Sequence, residues 1–271
     1  MADATSHILD PYSRQLSIAS DTYEVTGCVA THEGRLVEAR RLFSDFSSEK
    51  KRIGTDFFEV NAAEEDASAF RNRVDISWLA SAADTFKVSP DIGDYVLTTV
   101  GIVTSDLPNK NMQGFTKQEL TYFDPIIGRP TYKTFVGAGL HYEHQNKDPL
   151  KAKGVILDSM ITYIPKYDVF KVLVLAAWDR TKDVDLVKQI MSGERSGYSM
   201  GCLVKAFVCS VSGQIVTPDK GPYRRGQIVY VDGQPRLCYH LCTGSNFFEM
   251  SSVGNPADVS AIGDRLGVLH S

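Results

Sequence analysis

The sequence lacks the features that mark membrane, secreted and nucleic-acid-binding proteins. It has no apolar run long enough to cross a bilayer, and its first residues lack the basic and apolar stretches of a signal peptide. Five cysteines in 271 residues, an odd number, argue against a disulfide framework. A formal net charge of -4 gives no reason to expect a nucleic acid or a membrane surface as partner. These absences favour a protein of a reducing cytosol.

Composition predicts one globular domain with two insertions. Hydrophobic residues make up 43% of the chain and charged residues 23%, both ordinary values for a folded protein. Residues 1–20 are interpreted as an N-terminal arm, 21–265 as a single domain and 266–271 as a tail. Within the domain, a polar helical insertion is expected around residues 33–90 and a cysteine-containing insertion around 209–242.

Runs of apolar and β-branched residues predict the strands. The predicted strands are residues 23–30, 95–103, 154–157, 169–178, 201–208 and 247–253. The run Val172–Ala177 is apolar at every position, which predicts a strand buried on both faces. The segment 106–134 is expected to be a long connection, and connections of that length are often functional.

A Gly-x-Ser-x-Gly pentapeptide, Gly197–Gly201, places a candidate nucleophile at Ser199. In α/β-hydrolases this motif turns the chain from a strand into a helix. Here the segment Val184–Met191 before the motif has helical spacing, and strand-like residues follow it. Ser199 is therefore expected to open a strand.

A serine nucleophile needs a general base, which makes the six histidines decisive. His141 and His144 lie in a segment just before a predicted strand, where a loop can hold an imidazole against a neighbouring strand. His240 is a third possibility. The remaining histidines lie near the chain ends or beside a turn: His7, His32 and His270.

Four short motifs resemble, in type and order, those of tailed-phage prohead proteases, and most closely the giant-phage phiKZ-like type. The motifs are Glu143–Gly154, Asp179–Asp183, Tyr198–Cys202, and Phe247–Val253 followed by Pro256–Asp258. The resemblance runs from about Asp94 to Ala261. It implies an α+β fold, a bent and mostly antiparallel β-barrel surrounded by helices, with distant similarity to the herpesvirus assemblin proteases.

The resemblance also implies a serine endopeptidase with Ser199 as the nucleophile and His144 as the general base; His141 is the fallback. A third group should orient the imidazole. Glu249 is favoured because it lies on a later strand whose apolar neighbours would shield its hydrogen bond, and Asp148 is the alternative.

The sequence identifies the groups that would contact the transition state and the substrate less clearly than it identifies the candidate catalytic residues. The backbone N–H groups near Met200 and Gly201 are the candidate oxyanion donors. The resemblance implies cleavage after small-x-Glu triplets, and a glutamate at the cut site needs a cationic or N–H-rich pocket. Arg180, Arg195 and Lys147 are the main candidates for it, with Lys151 and Lys153 as further cations.

The resemblance implies phage scaffold, core and major capsid proteins as substrates, cut inside the prohead in the host cytoplasm, with retention in the virion and self-association as open possibilities. The chain carries three such triplets itself: Ser47–Glu49, Ala62–Glu64 and Ser192–Glu194. Self-cleavage in trans is expected at the first two, while folding should protect the third, which lies close to Ser199.

Cys209, Cys238 and Cys242 form a second constellation, with His240 between the last two. A closed structural zinc site needs four ligands. Ser212 stands where the second cysteine of a Cys-x-x-Cys-Gly knuckle would lie, so buried thiols are the favoured interpretation. The sequence predicts no metal and no cofactor.

Two other classes of function stay open. One is an α/β-hydrolase-type esterase that uses Ser199 with His240, although no alternating strand–helix pattern supports it. The other is a non-catalytic shell protein that binds capsid or scaffold proteins.

Overall fold

The computed structural model describes residues 23–26, 83–258, 260–261 and 263–268. The expected N-terminal arm, most of the expected polar insertion and the last residues of the expected tail lie outside these residues, as do the triplets Ser47–Glu49 and Ala62–Glu64. The described part is built mostly of strands with few helices.

The elements follow in this chain order: β1 (Tyr23–Thr26), β2 (Tyr95–Thr104), β3 (Gln113–Gly114), α1 (Lys117–Thr121), β4 (Phe123–Asp124), β5 (Arg129–Pro130), β6 (Gly139–Tyr142), β7 (Gly154–Ile164), β8 (Val169–Asp179), α2 (Val184–Ser192), β9 (Tyr198–Val204), β10 (Ala206–Cys209), β11 (Ile215–Val216), β12 (Ile228–Val231), β13 (Gln234–Leu237), β14 (His240–Thr243), β15 (Asn246–Ser252) and β16 (Gly263–Val268). Short 3-10 helices lie at Ile92–Asp94, Thr131–Phe135, Pro149–Lys151 and Pro165–Tyr167. Residues 83–86 are also helical.

One sheet of eight strands organises the molecule, in the order β1-β9-β15-β6-β7-β8-β2-β16. Its pairs are antiparallel except for β15 and β6, which run parallel. The sheet curls into a half-barrel, and in the described residues its end strands β1 and β16 do not pair with each other. The expected α+β class with mostly antiparallel strands is confirmed, and the described residues form a curled half-barrel sheet with few helices.

A smaller sheet, in the order β11-β10-β14-β3, receives the chain directly after β9. The strand predicted at residues 201–208 is thus two strands, because the chain leaves the large sheet at Lys205 and continues in the small one. The long connection predicted at 106–134 holds β3, α1, β4, β5 and part of a 3-10 helix.

Strand β8 is buried on both faces, as its apolar sequence predicts. On one side Val174, Ala176 and Trp178 join the main core. On the other side Leu175 and Ala177 pack under the segment that contains Ala83 and Val88. Two layers of cover therefore explain why this strand has no alternation of apolar and polar residues.

The helices are short. Helix α2 has nine residues and α1 has five, and within the described residues no helix combines the length and hydrophobicity needed to cross a membrane.

Candidate active site

The candidate nucleophile Ser199 is the second residue of β9, directly after α2 in the fold. Asp183 caps the N-terminus of α2 by accepting a hydrogen bond from the Leu186 N–H, and Gly193 ends the helix in the left-handed region at φ 77°. The predicted order of helix, loop and strand is confirmed. It is the reverse of the order in an α/β-hydrolase.

Gly197 is needed where the chain enters β9. A Cβ atom at this position would lie 2.8 Å from the Val253 carbonyl oxygen, closer than real Cβ contacts allow. The first glycine of the pentapeptide thus lets the loop before Ser199 pass tightly against the end of β15.

Three adjacent strands, β9, β15 and β6, bring the candidate residues together, with β15 in the middle. One row across the strands contains Ser199, Ser251 and His141. The next row on the same face contains Gly201, Glu249 and Gly139. The alternate residues face the main core instead: Met200, Met250 and Leu140.

Glu249 lies between two glycines, and their lack of side chains makes room for the site. A Cβ at Gly201 would lie 2.7 Å from the Glu249 Cγ atom and 2.8 Å from its Oε1 atom. A Cβ at Gly139 would lie 2.9 Å from the His141 Nε2 atom. The final glycine of the pentapeptide therefore has a role that the sequence did not indicate, since it leaves space for the carboxylate on the neighbouring strand.

Glu249 holds the imidazole of His144. The Nδ1 atom of His144 lies 2.7 Å from Oε1 of Glu249, and the exposed fractions of the two side chains are 10% and 1%. An ionised carboxylate can only accept, so this contact places a proton on Nδ1. In the neutral imidazole Nε2 then carries the free lone pair, which is the tautomer that a general base requires.

Three buried atoms at the site make no hydrogen bond to any described residue: Ser199 Oγ, His144 Nε2 and His141 Nδ1. Ser199 and the His144 imidazole are therefore not hydrogen-bonded to each other in this structure. A buried polar atom without a partner costs about 1–3 kcal/mol. Such atoms are rare in folded proteins, and a catalytic role is one of the reasons they persist.

His141, the fallback base, lies on β6 in the same row as Ser251 and is 3% exposed. Burial lowers its pKa from the usual histidine range, although the charge of Glu249 acts in the opposite direction. The Glu249 carboxylate makes its hydrogen bond to His144 and not to His141. This geometry favours His144 as the base.

Asp148, the alternative third group, has a local role. Its Oδ1 atom accepts a 3.0 Å hydrogen bond from the Leu150 N–H and thereby caps the 3-10 helix Pro149–Lys151. Glu249 is the carboxylate that contacts His144.

Arg195 fastens the turn that presents His144. Its Nε donates to the Ser252 hydroxyl at 3.0 Å, its guanidinium lies 4.5 Å from the centre of the Tyr142 ring, and it forms an ion pair with Glu143. Glu143 and His144 both adopt left-handed backbone conformations, at φ 46° and 55°, which is uncommon for residues other than glycine. Arg195 was a candidate for substrate binding; here its side chain is engaged by the chain itself.

The other cations predicted for the substrate site lie in ordinary surroundings. Arg180 donates to the carbonyl oxygens of Gly93 and Asp94, and Lys153 pairs with Asp183 at 3.0 Å. Lys147 and Lys151 are exposed on the surface. The triplet Ser192–Glu194 is exposed as well, so burial does not protect it, contrary to the expectation from its position near Ser199.

The cysteine constellation forms a cluster of thiols. The Sγ atoms of Cys209 and Cys238 are 3.6 Å apart, and Cys242 is fully buried on β14. Burial raises the pKa of the Cys238 thiol to about 12, which disfavours the thiolate that a metal requires. No group of three or more metal-binding side chains occurs in the part of the chain that the structure describes.

His240 is remote from Ser199 in the topology, since it lies on the small sheet opposite Cys209. Its ring lies 5.7 Å from that of Phe207. Burial, helped by the charge of Arg225, lowers its pKa to about 4, so the imidazole is neutral at physiological pH. This is the environment of a structural histidine.

Comparisons with known proteins returned no match: no family model, no curated protein and no solved structure is similar to this chain at a significant level. The chemistry of the site therefore has to be argued from its own geometry.

Proposed function

We propose that the chain is a serine endopeptidase with Ser199 as nucleophile, His144 as general base and Glu249 as the group that orients the base. The observation that carries the proposal is the 2.7 Å contact between His144 Nδ1 and the buried Glu249 carboxylate, on the strand paired with that of Ser199. The other imidazole nitrogen and the serine hydroxyl are both left without partners among the described residues. A nucleophile and a base that await substrate would have this arrangement.

The proposed reaction is acyl transfer. His144 Nε2 takes the proton of Ser199 as Oγ attacks the peptide carbonyl, and Glu249 stabilises the imidazolium that forms. His144 then protonates the leaving amine, and a water molecule activated by the same imidazole hydrolyses the acyl-enzyme. Substrate binding has to bring Ser199 and His144 into hydrogen-bond distance; hydrogen bonds of this kind commonly tighten when the substrate binds.

The N–H groups near Met200 and Gly201 remain the proposed oxyanion donors. Both belong to the strand that starts at Tyr198, directly beside the nucleophile. One oxyanion donor typically contributes a factor of about 100 to 1,000 in rate.

The proposed biological setting is the maturation of a phage prohead, with scaffold, core and major capsid proteins as substrates and cleavage after small-x-Glu triplets. The support is the order of the four sequence motifs, together with a curled, mostly antiparallel half-barrel sheet. The same setting implies the host cytoplasm, the interior of the prohead and self-association.

One observation favours a second candidate, a non-catalytic protein that binds capsid or scaffold proteins. Ser199 and His144 are not hydrogen-bonded to each other, and a protease that had lost its activity could keep both residues in that state. An esterase that uses His240 has less support, because that histidine lies on the other sheet.

Labelling with a fluorophosphonate tests the proposal, because such a probe reacts only with an activated serine. The wild type should be labelled at Ser199, and Ser199→Ala and His144→Ala should lose the label. His141→Ala, a buried histidine three residues away from the base, should keep it and serves as the matched control.

Peptides then identify the reaction. Peptides with a small-x-Glu triplet should be cut, whereas simple esters should be poor substrates. An unlabelled wild type that also leaves every peptide intact would support the binding protein, and a label that depends on His141 or His240 would overturn the assignment of the base.

A further inference from the structure

Ser251 contacts both members of the proposed acid–base pair. Its hydroxyl donates to Oε2 of Glu249 at 2.7 Å, and the same oxygen accepts from the backbone N–H of His144 at 3.2 Å. The side chain is fully buried. No other described residue is hydrogen-bonded to both His144 and Glu249.

These contacts complete the hydrogen bonding of the Glu249 carboxylate. Oε1 contacts the imidazole of His144, and Oε2 accepts from Ser251. A buried carboxylate stays ionised only if donors replace the water it has lost. Ser251 therefore supplies the second of two donors that favour the charged form of Glu249.

The contacts also form a closed ring. It runs from the Ser251 hydroxyl to the Glu249 carboxylate, on to the His144 imidazole, and back through the His144 backbone to Ser251. The backbone and the side chain of His144 are thus held by two neighbouring residues of one strand. This matters because His144 lies in an uncommon left-handed conformation, at φ 55°.

Ser251 itself is not placed to be the nucleophile. Its proton is directed at a carboxylate rather than at the Nε2 atom of an imidazole, and its oxygen already accepts from an N–H group. Ser199, its partner in the pairing of β9 with β15, has a hydroxyl with no partner among the described residues. The two serines thus differ in role although they lie side by side.

We infer that Ser251 is a positioning residue: it holds the Glu249 carboxylate and fixes the turn of His144 so that the imidazole presents Nε2 to Ser199. This role rests on the proposed function. It also gives a reason for the serine in the Phe247–Val253 motif, which the sequence alone left without a purpose.

Other titratable and charged groups lie near His144 and Glu249. Their effects on the titration have to be distinguished from the effect of Ser251. His141 faces Glu249 from β6, and Asp148 acts on His141. Glu143 and Arg195 form an ion pair beside the same turn. His141→Ala therefore has to accompany the measurement, so that the titration of His144 can be assigned.

The test is a pH titration of His144. The chemical shifts of its ring protons are measured by NMR as a function of pH, in the wild type and in Ser251→Ala. Without the Ser251 hydroxyl the carboxylate loses a donor. The pair should then take up its proton at higher pH, by up to about one pH unit if the proton goes to the carboxylate and by less if it goes to the imidazole, because the carboxylate is then charged in both states. Ser251→Thr keeps the hydroxyl and should restore the wild-type titration.

Two further variants separate positioning from folding. Ser251→Cys keeps the volume of the side chain but donates weakly, so it should shift the titration in the same direction as alanine. Ser159→Ala removes another buried serine of the same sheet, whose hydroxyl bonds to the Tyr132 carbonyl at 2.9 Å, and should leave the titration unchanged. An unchanged titration in Ser251→Ala, or no recovery in Ser251→Thr, would overturn the inference.

The rate of fluorophosphonate labelling against pH supplies the second measurement. The acidic limb of that profile should move upward in Ser251→Ala by the same amount as the NMR titration. If the wild type is never labelled, the proposed function fails; the NMR shift still decides whether Ser251 holds the pair.

Discussion

Two buried polar clusters lie on the large sheet, and they differ in how completely their atoms are paired. Near the start of β8, the Lys171 ammonium donates to Thr104 at 2.8 Å, to Ser260 at 2.5 Å and to Asp258 at 3.2 Å. Asp258 in turn accepts from the N–H and the hydroxyl of Ser260. At the other cluster, Ser199 Oγ and His144 Nε2 have no partner among the described residues.

The first cluster has the properties of a structural network, whereas the second has those expected of the proposed catalytic site. A lysine that is 3% exposed is tolerated where three acceptors surround it, and such a network rigidifies the fold. Folding gains nothing from leaving the serine hydroxyl and the imidazole nitrogen buried and unpaired, which agrees with the proposed catalytic role; Thr99 Oγ1 and His240 Nδ1 are unpaired among the described residues as well. The following variants test this contrast between the two clusters.

The largest effect should come from Glu249→Gln. The amide keeps the shape of the side chain, but it can hold the imidazole in the wrong tautomer, and the comparable change in a known serine protease triad costs about 10⁴-fold in turnover. The rate of fluorophosphonate labelling at Ser199 measures the loss.

Asp148→Asn is the matched control, because Asp148 is the alternative third group and its carboxylate caps a 3-10 helix. It should keep most of the labelling rate. A larger loss in Asp148→Asn than in Glu249→Gln would reverse the assignment.

Gly201→Ala should have an intermediate effect on stability. The new methyl group would lie 2.7 Å from both Glu249 Cγ and Phe248 Cζ, so one of these side chains has to move. We expect a loss of about 1–3 kcal/mol in the free energy of unfolding, together with slower labelling because Glu249 is displaced. Urea denaturation measures the change in the free energy of unfolding.

Gly254→Ala provides the reference for this change. Its nearest neighbour would be 3.8 Å from the new Cβ atom, so there is room for the methyl group. Equal losses of stability in Gly201→Ala and Gly254→Ala would show that Gly201 is not needed for the space it leaves beside Glu249.

The smallest loss of stability is expected for Ser199→Ala, and a second buried serine makes it informative. Removing a buried hydroxyl without a partner relieves its desolvation cost, so the free energy of unfolding should stay the same or rise by up to about 1–3 kcal/mol. Ser260→Ala removes a hydroxyl bonded to Lys171 and Asp258 and should cost about 1–3 kcal/mol. If both variants lose the same stability, the contrast between the two clusters is wrong.

The existence of most strands and the residues of the candidate site were easier to predict from the sequence than the strand pairing that brings those residues together. Apolar runs identified β2, β7, β8, β9 and β15, although β7 extends to Ile164, seven residues beyond the predicted end at Leu157. Local composition specifies a strand, whereas its length depends on the partners it pairs with.

The contributions of Ser251, Gly139 and Arg195 could not be predicted in the same way. Each depends on the register between strands that are far apart in the chain, such as Ser251 beside His141. A shift of one residue would turn the opposite face of β15 toward the histidines. No local pattern encodes that register, and only the fold shows that one row of the sheet contains both a histidine and two serines.

The most direct test of the proposed site is a crystal structure of the protein after reaction with the fluorophosphonate. We expect the phosphorus to be bonded to Ser199 Oγ, His144 Nε2 to lie within about 3.2 Å of Oγ or of the bound phosphonate, and Nδ1 to keep its contact with Glu249. A phosphonate attached to another residue would refute the assignment of the site, as would a His144 imidazole turned away from Ser199 in the adduct.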